Sequence, residues 1–198
     1  LTARRFLEGI CAGGAQADPD LRRRLQQGNH PDLIWVEPTY LEKGERITAT
    51  EAKERGLSKK TLPQIRLEQI REVSRFLARP PLDASRSMVV IEQAEAMAES
   101  AANALLKTLE EPGQGLLVLI TAAPERLLAT ILSRCQRIPF KPLPAHTMLQ
   151  LVGGAQDDPP ALVDLAAGSP GALLLWRERW AELPPELLAQ LQQLPTQP

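Results

Sequence analysis

Residues 88–95 read Met88-Val89-Val90-Ile91-Glu92-Gln93-Ala94-Glu95. Four consecutive apolar residues leave no polar face, so the run is expected as a buried strand. Helical periods flank it. Before it, Leu67, Ile70, Val73, Phe76 and Leu77 recur at helical spacing until Pro80-Pro81. After it, Ser100 is expected to cap a helix over residues 101–110, with Ala101, Ala104, Leu105 and Leu109 on its apolar face and Pro112-Gly113 as its stop. Further strands are expected at residues 33–36, ahead of Pro38, at 116–120 and at 136–140, with a short helix opened by Pro124. Strands and helices alternate, and the strands are continuous apolar runs. That pattern gives an α/β fold, a parallel sheet with helices on both faces.

Towards the N-terminus, residues 2–10 form a helical period with Phe6 and Ile10 on one side, ended by Gly13 and Gly14. Asp18-Pro19 opens a second short helix through Leu21 and Leu25, closed by Gly28. Residues 38–63 hold Lys43, Arg46, Lys53, Arg55, Lys59 and Lys60 against Glu42, Glu45, Glu51 and Glu54 without a sustained period. They read as a solvated insertion or long loop. Beyond Pro142 only helices are expected, at 147–152, 160–167, 170–179 and 186–194. The boundaries are therefore an α/β domain over 1–142, a small helical domain over 143–180, and a linker with the start of a third helical domain over 181–198.

The chain has 198 residues, of which 43% are apolar and 24% charged, which is enough for a packed core rather than a disordered tail. A formal net charge of −1 argues against a surface devoted to coating nucleic acid. Cys11 and Cys135 are too few and too far apart for a disulfide framework or a zinc motif, which suits a reducing, cytoplasmic setting. No apolar run approaches a membrane span, so no membrane partner is expected. The sequence starts at Leu1 without Met or a signal-peptide pattern, as if inside a longer protein.

Residues 88–95 have the form of a Walker B strand, in which an acid at the strand end holds Mg²⁺ and a following Glu orients water. The run from Ala101 to Pro112 resembles the helix that follows Walker B in clamp-loader subunits. Residues 124–135 resemble their segment ending in Ser133-Arg134-Cys135. Gly28-Asn29-His30-Pro31-Asp32 resembles their lead-in to the second strand, and Gly168-Ser169-Pro170-Gly171-Ala172 the start of their last lid helix. The four matches stand in family order and span most of the chain. The sequence is thus similar to AAA+ subunits of the bacterial DNA polymerase III clamp loader, and within them to the delta-prime family. The resemblance implies a doubly wound AAA+ domain with a helical lid and a collar domain beyond it. It implies as partners the gamma/tau and delta subunits and, through the complex, the sliding clamp and primer–template DNA. It also implies membership of a nucleotidyltransferase complex.

The departures bear on activity. No Gly is followed by Lys, so no Walker A loop is present; residues 2–10 resemble the helix just after that loop, which would place it upstream. Glu92 stands where the Mg²⁺-binding Asp belongs. Gln93 replaces the water-orienting Glu, and a neutral amide is no general base. Gly171 stands where ATP-hydrolysing relatives carry a lid Arg. A non-hydrolysing, stator-like subunit with no functional ATP site and no catalytic residue in cis is expected. By the resemblance, Arg134, positioned by Ser133 and Cys135, is a finger acting in trans on a neighbour's ATP. Relatives often carry a four-Cys zinc module ahead of residue 28; with Cys11 and His30 alone, no zinc is expected. His30 is expected to hydrogen-bond its turn and His146 to lie on the surface at a helix start. Two rivals are an ATP-hydrolysing gamma/tau-type subunit with its P-loop upstream, and a nucleic-acid-binding module outside a clamp loader.

Overall fold

The computed structural model describes residues 2–12, 18–57, 61–111, 113, 115–153 and 158–184, which fall into two units, within 1–137 and 138–198. The first unit opens with helices α1 (Thr2–Cys11) and α2 (Pro19–Gln26), strand β1 (Leu33–Val36), strands β2 (Thr39–Glu42) and β3 (Glu45–Thr48), and helix α3 (Ala49–Glu54). Helix α4 (Leu67–Leu77), strand β4 (Met88–Ile91), helix α5 (Glu99–Glu110), strand β5 (Leu116–Leu119) and helix α6 (Ala129–Leu132) complete it. Single 3₁₀ turns cover Ala94–Ala96 and Pro124–Arg126.

Strand β4 is central in a parallel sheet of order β1-β4-β5, with Val36 opposite Ile91 and Ile91 opposite Leu119. Its four residues have 0% exposure, which explains the unbroken apolar run. Alternation along the pleat sends Val36, Val89, Ile91, Leu117 and Leu119 to one face, where they meet Ile70 and Val73 of α4, Ala101 and Leu105 of α5, and Ile131 of α6. The opposite face carries Leu33, Trp35, Met88, Val90 and Val118 against Leu7, Ile10, Leu21 and Leu25 of α1 and α2. Burying each such aliphatic side chain is worth about 1.5–3 kcal/mol.

Four expectations change. Leu7, at 1% exposure, leads the buried face of α1, while Phe6 is about half exposed. The helix phase is therefore rotated one residue from the reading on Phe6. Within residues 38–63, the stretch 39–54 is regular structure rather than loop. Strands β2 and β3 pair antiparallel around a turn with positive φ at both Lys43 and Gly44, the geometry that matches hairpin twist. Thr48 and Glu51 then form a reciprocal capping box that starts α3. Thr39 also exchanges backbone bonds with Gln64, which ties the hairpin to the entry of α4. Lys59 and Lys60 lie outside the described residues. Ser100 does not cap α5, which starts at Glu99 behind Ala98. Residues 136–140 form no strand; Pro139 and Pro142 bring no N–H to a ladder, and Ile138 and Phe140 are exposed. Gly13, Gly14 and the helix expected at 186–194 also lie outside the described residues.

The second unit contains helices α7 (Ala145–Val152), α8 (Pro160–Ala166) and α9 (Pro170–Ala181) around Met148, Leu162, Ala166 and Leu173. Arg177 closes it by donating to both Asp158 carboxylate oxygens and to the Gly153 carbonyl. Gly168 has φ +77, and a Cβ there would lie 2.6–2.8 Å from Pro142 Cβ and the Leu143 backbone. Leu143 N–H donates to the Gly168 carbonyl at 2.9 Å, which fixes this close approach. Gly168→Ala is expected to destabilise this unit by about 2–3 kcal/mol, from the left-handed backbone cost and the forced shift at Leu143. Chemical denaturation followed by Trp176 and Trp180 fluorescence checks it; an unchanged midpoint contradicts it.

Candidate functional site

At the C-terminal end of β4, Glu92 continues the ladder by donating its N–H to the Val36 carbonyl at 2.9 Å. Its Oε2 accepts the Trp35 indole N–H at 2.9 Å. The Arg4 guanidinium lies 5.1 Å from the centroid of the same indole and donates to the Gln26 carbonyl at 3.0 Å. The acid at the strand end is thus already engaged by a neutral donor. Gln93 follows in the left-handed region, φ 51, with its side chain exposed. Glu95 closes the turn by accepting from Ala122 N–H at 3.4 Å in the loop after β5. Burial pushes its carboxyl up, but bonds from Thr121, its own amide and Ala122, with nearby Arg126, bring it below the usual value.

Arg134 sits just past α6, with its N–H on the Ile131 carbonyl at 3.1 Å. Its guanidinium donates from Nη1 to the Thr130 carbonyl at 3.0 Å and from Nη2 to Glu110 Oε1 at 2.7 Å. The Arg134 and Glu110 side chains are 36% and 52% exposed. Ser133 Oγ donates to the same Thr130 carbonyl at 3.0 Å, and Cys135 packs on the core beside Ile131. Burial pushes the Cys135 thiol up, so it stays protonated and acts as a small apolar group.

The Gly28–Asp32 segment is structural in the first unit. Asp32 is 2% exposed and accepts three backbone N–H groups, from Leu82, Asp83 and Ala84, each at 2.7 Å. His30 Nδ1 accepts the Asp32 N–H at 3.1 Å, so its turn is hydrogen-bonded as expected from the sequence. Burial, then the Arg24 charge, lowers the His30 pKa. Cys11 Sγ donates to Met88 Sδ at 3.6 Å, and its thiol is pushed up by burial and by the Asp32 charge. Among the described residues no group of three His, Cys, Asp or Glu is placed to share a metal ion. His146 is exposed at the start of α7, bonded to Thr147. In the second unit Gly171 follows Pro170 in the first turn of α9, capped by Ser169 Oγ accepting from Ala172 N–H. A Cβ at Gly171 meets nothing within 4 Å, so the fold has room for a side chain that the sequence omits.

A family described as "DNA polymerase III, delta subunit" matches residues 3–144, and "Cyanobacterial DNA polymerase III delta prime, C-terminal domain" matches residues 144–198. The subunit delta' of DNA polymerase III from Bacillus subtilis is 38% identical over 134 residues, 66% of this chain and 34% of its own length. That from Pseudomonas aeruginosa is 37% identical over 167 residues, 81% of this chain and 44% of its own. This chain belongs to the delta-prime family of DNA polymerase III subunits. It spans less than half the length of these curated relatives. The crystal structure of a DNA polymerase III gamma subunit-related protein from Thermotoga maritima superposes with a TM-score of 0.51 at 25% identity, covering 78% of this chain and 47% of that one. The mixed α/β architecture, a parallel sheet followed by a helical C-terminal part, is therefore shared with a related polymerase III subunit.

In this delta-prime family member, the stretch 3–144 holds the strand end, the Asp32 contacts and the Arg134 turn together. Sequence reading singled out Glu92, Gln93, Ser133, Arg134 and Cys135 but not their partners. Trp35 is 57 positions from Glu92, and Glu110 is 24 positions from Arg134. Nothing local in the sequence marks either pair. No helix of the described residues is long and apolar enough to cross a membrane.

Proposed function

We propose that this chain is the AAA+ and lid part of a non-hydrolysing, stator-like subunit of the DNA polymerase III clamp loader. It presents Arg134 to the ATP of an adjacent gamma/tau subunit while the ring, with delta, opens the sliding clamp and places it on primer–template DNA. The observation that carries the reading is the position of Arg134. Its carboxylate partner Glu110 ends α5, whereas Gln93 lies six residues before Glu99, ahead of the 3₁₀ turn that leads into the other end of that helix. At 1.5 Å per residue, α5 separates the two ends by roughly 16 Å. A guanidinium held at the far end of α5 serves a neighbouring subunit better than its own strand end. The degenerate acids support the same view, since Glu92 is engaged by Trp35 and Gln93 has no base to offer. Gly171 supplies no cation to a γ-phosphate. No zinc and no productive ATP site belong to this reading, and turnover by the isolated subunit is expected at background.

The test is a clamp loader reconstituted with the full-length subunit carrying Arg134→Ala. Slowed ATP hydrolysis and clamp loading by a complex that assembles normally support the reading. Normal loading by that complex refutes it. Motor-like ATP turnover by the isolated wild-type subunit favours the gamma/tau alternative.

A further inference from the structure

We infer that Glu110 is a positioning residue for Arg134: it parks the guanidinium against α5 in the free subunit and yields it to the neighbour's γ-phosphate. The inference rests on the reading of Arg134 as a finger, and adds a control to it.

Three features of the pair carry it. First, Arg134 is not free-standing. Nη1 is committed to the Thr130 carbonyl and Nη2 to Glu110 Oε1 at 2.7 Å. The carboxylate therefore occupies a donor that a finger would offer. Second, the hold is weak by construction. Both side chains stand partly in water, at 36% and 52% exposure, where an ion pair is screened and costs little to open. Third, the competing ligand is stronger. A γ-phosphate carries more charge than one carboxylate and accepts the planar guanidinium through two oxygens. The Thr130 carbonyl, one turn back on the same chain, keeps the side chain near the turn when Glu110 lets go.

A parked group lowers apparent affinity by the fraction of time it is unavailable. Removing the parking carboxylate should therefore act on the ATP concentration needed by the neighbouring site, while the maximal rate, set with the finger already engaged, stays the same. A side chain that merely holds the turn together would not give that split.

The experiment uses the full-length subunit in the reconstituted clamp loader with sliding clamp and primed DNA, following ATP hydrolysis against ATP concentration. Four subunits are compared: wild type, Glu110→Gln, Arg134→Ala and the double variant. Glu110→Gln keeps the shape and loses the charge. It is expected to lower KM for ATP by about two- to five-fold, in keeping with an exposed pair, with kcat unchanged. Glu110→Asp, which keeps the charge, should fall between Gln and wild type. In the Arg134→Ala background Glu110→Gln should change nothing, since no finger remains to be parked. An unchanged or raised KM, a lower kcat, or the same KM shift without Arg134 overturns the parking role and leaves the finger standing. Thermal unfolding that drops equally in both single variants with KM constant assigns the pair to surface stability and overturns it too. If Arg134→Ala alone leaves hydrolysis and loading at wild-type rates, the finger itself fails, and the parking role falls with it.

Discussion

Replacing Arg134 with alanine is expected to leave this subunit folded and to slow the complex that contains it. The two halves of that result have different causes. Within the chain, Arg134 contributes one partly exposed ion pair and one bond to a carbonyl. Such a pair is worth about 0–1 kcal/mol, so the unfolding midpoint should move by a few degrees at most. Within the complex, the proposed function has the same guanidinium facing the charge that develops on a neighbour's γ-phosphate. A finger of that kind is worth about 10³–10⁵ at a site that depends on it wholly. On that reading only one site of the ring loses its finger, so total ATP hydrolysis should fall only in part. Clamp loading needs the sites to act together and should fall further. Arg134→Lys should rescue poorly, because an ammonium lacks the planar fork. Steady-state hydrolysis and a clamp-loading assay, run beside a melting curve of the isolated subunit, separate these effects. A variant that unfolds or fails to assemble assigns Arg134 to structure, and one that assembles and loads at the normal rate removes it from the neighbour's site.

The sheet was legible because its strands carry apolar side chains on both faces, each covered by helices. Residues 33–36, 88–91 and 116–119 are apolar runs that no other element accommodates as well, and they became β1, β4 and β5. The hairpin of β2 and β3 was not legible, for the same physics in reverse. Its strands are four residues each and only partly buried, so Glu42, Glu45 and Arg46 can face water and obscure the period. Its turn is Lys43-Gly44, and a lysine in the left-handed region is not a signal that composition gives. Residues 136–140 failed the other way. Ile138 and Phe140 alternate as a strand should, but a strand is made by its neighbours, and the prolines at 139 and 142 withhold two donors. At the candidate site, motif spacing marked Glu92, Gln93 and Arg134, because each sits at a strand end or turn fixed by local sequence. The groups that decide their state, Trp35 and Glu110, come from other elements and are visible only once the sheet and α5 are assembled.

Asp32 gives the largest expected effect on the fold. It looked like part of a lead-in to a strand, yet it is the acceptor for three consecutive amides 50–52 positions away. Asp32→Ala removes the shared acceptor of those amides, and Asp32 itself is 2% exposed, so its carboxylate is replaced by a void on the core side and by water only from the loop side. A hydrogen bond to a charged acceptor is worth about 1.5–3 kcal/mol, less where the donor sits on a partly exposed loop as Leu82–Ala84 does, so the loss of all three should reach about 3 kcal/mol. Asp32→Asn should recover part of this, because one amide oxygen still accepts while the NH₂ opposes a donor. The pH dependence follows from the same contacts. Burial alone would raise the Asp32 pKa, but the bonds from Ala84, Leu82 and Asp83 bring it below its ordinary 3.8. The unfolded chain then takes up the proton before the folded one does. Stability from Asp32 is whole above pH 3.8 and is lost as pH falls through the lower, folded value. His30 adds an earlier stage. Its folded pKa lies below 6.5, so the unfolded chain binds that proton first, and stability declines as pH drops from 6.5 towards the folded value. Denaturant unfolding of the full-length protein at pH 7.5, 5.5 and 3.5 should therefore show two declines in wild type. In Asp32→Ala the midpoint should start low and the decline below pH 4 should shrink. Equal midpoints for the two proteins at pH 7.5 would show that the loop at residues 82–84 is held by something other than this carboxylate.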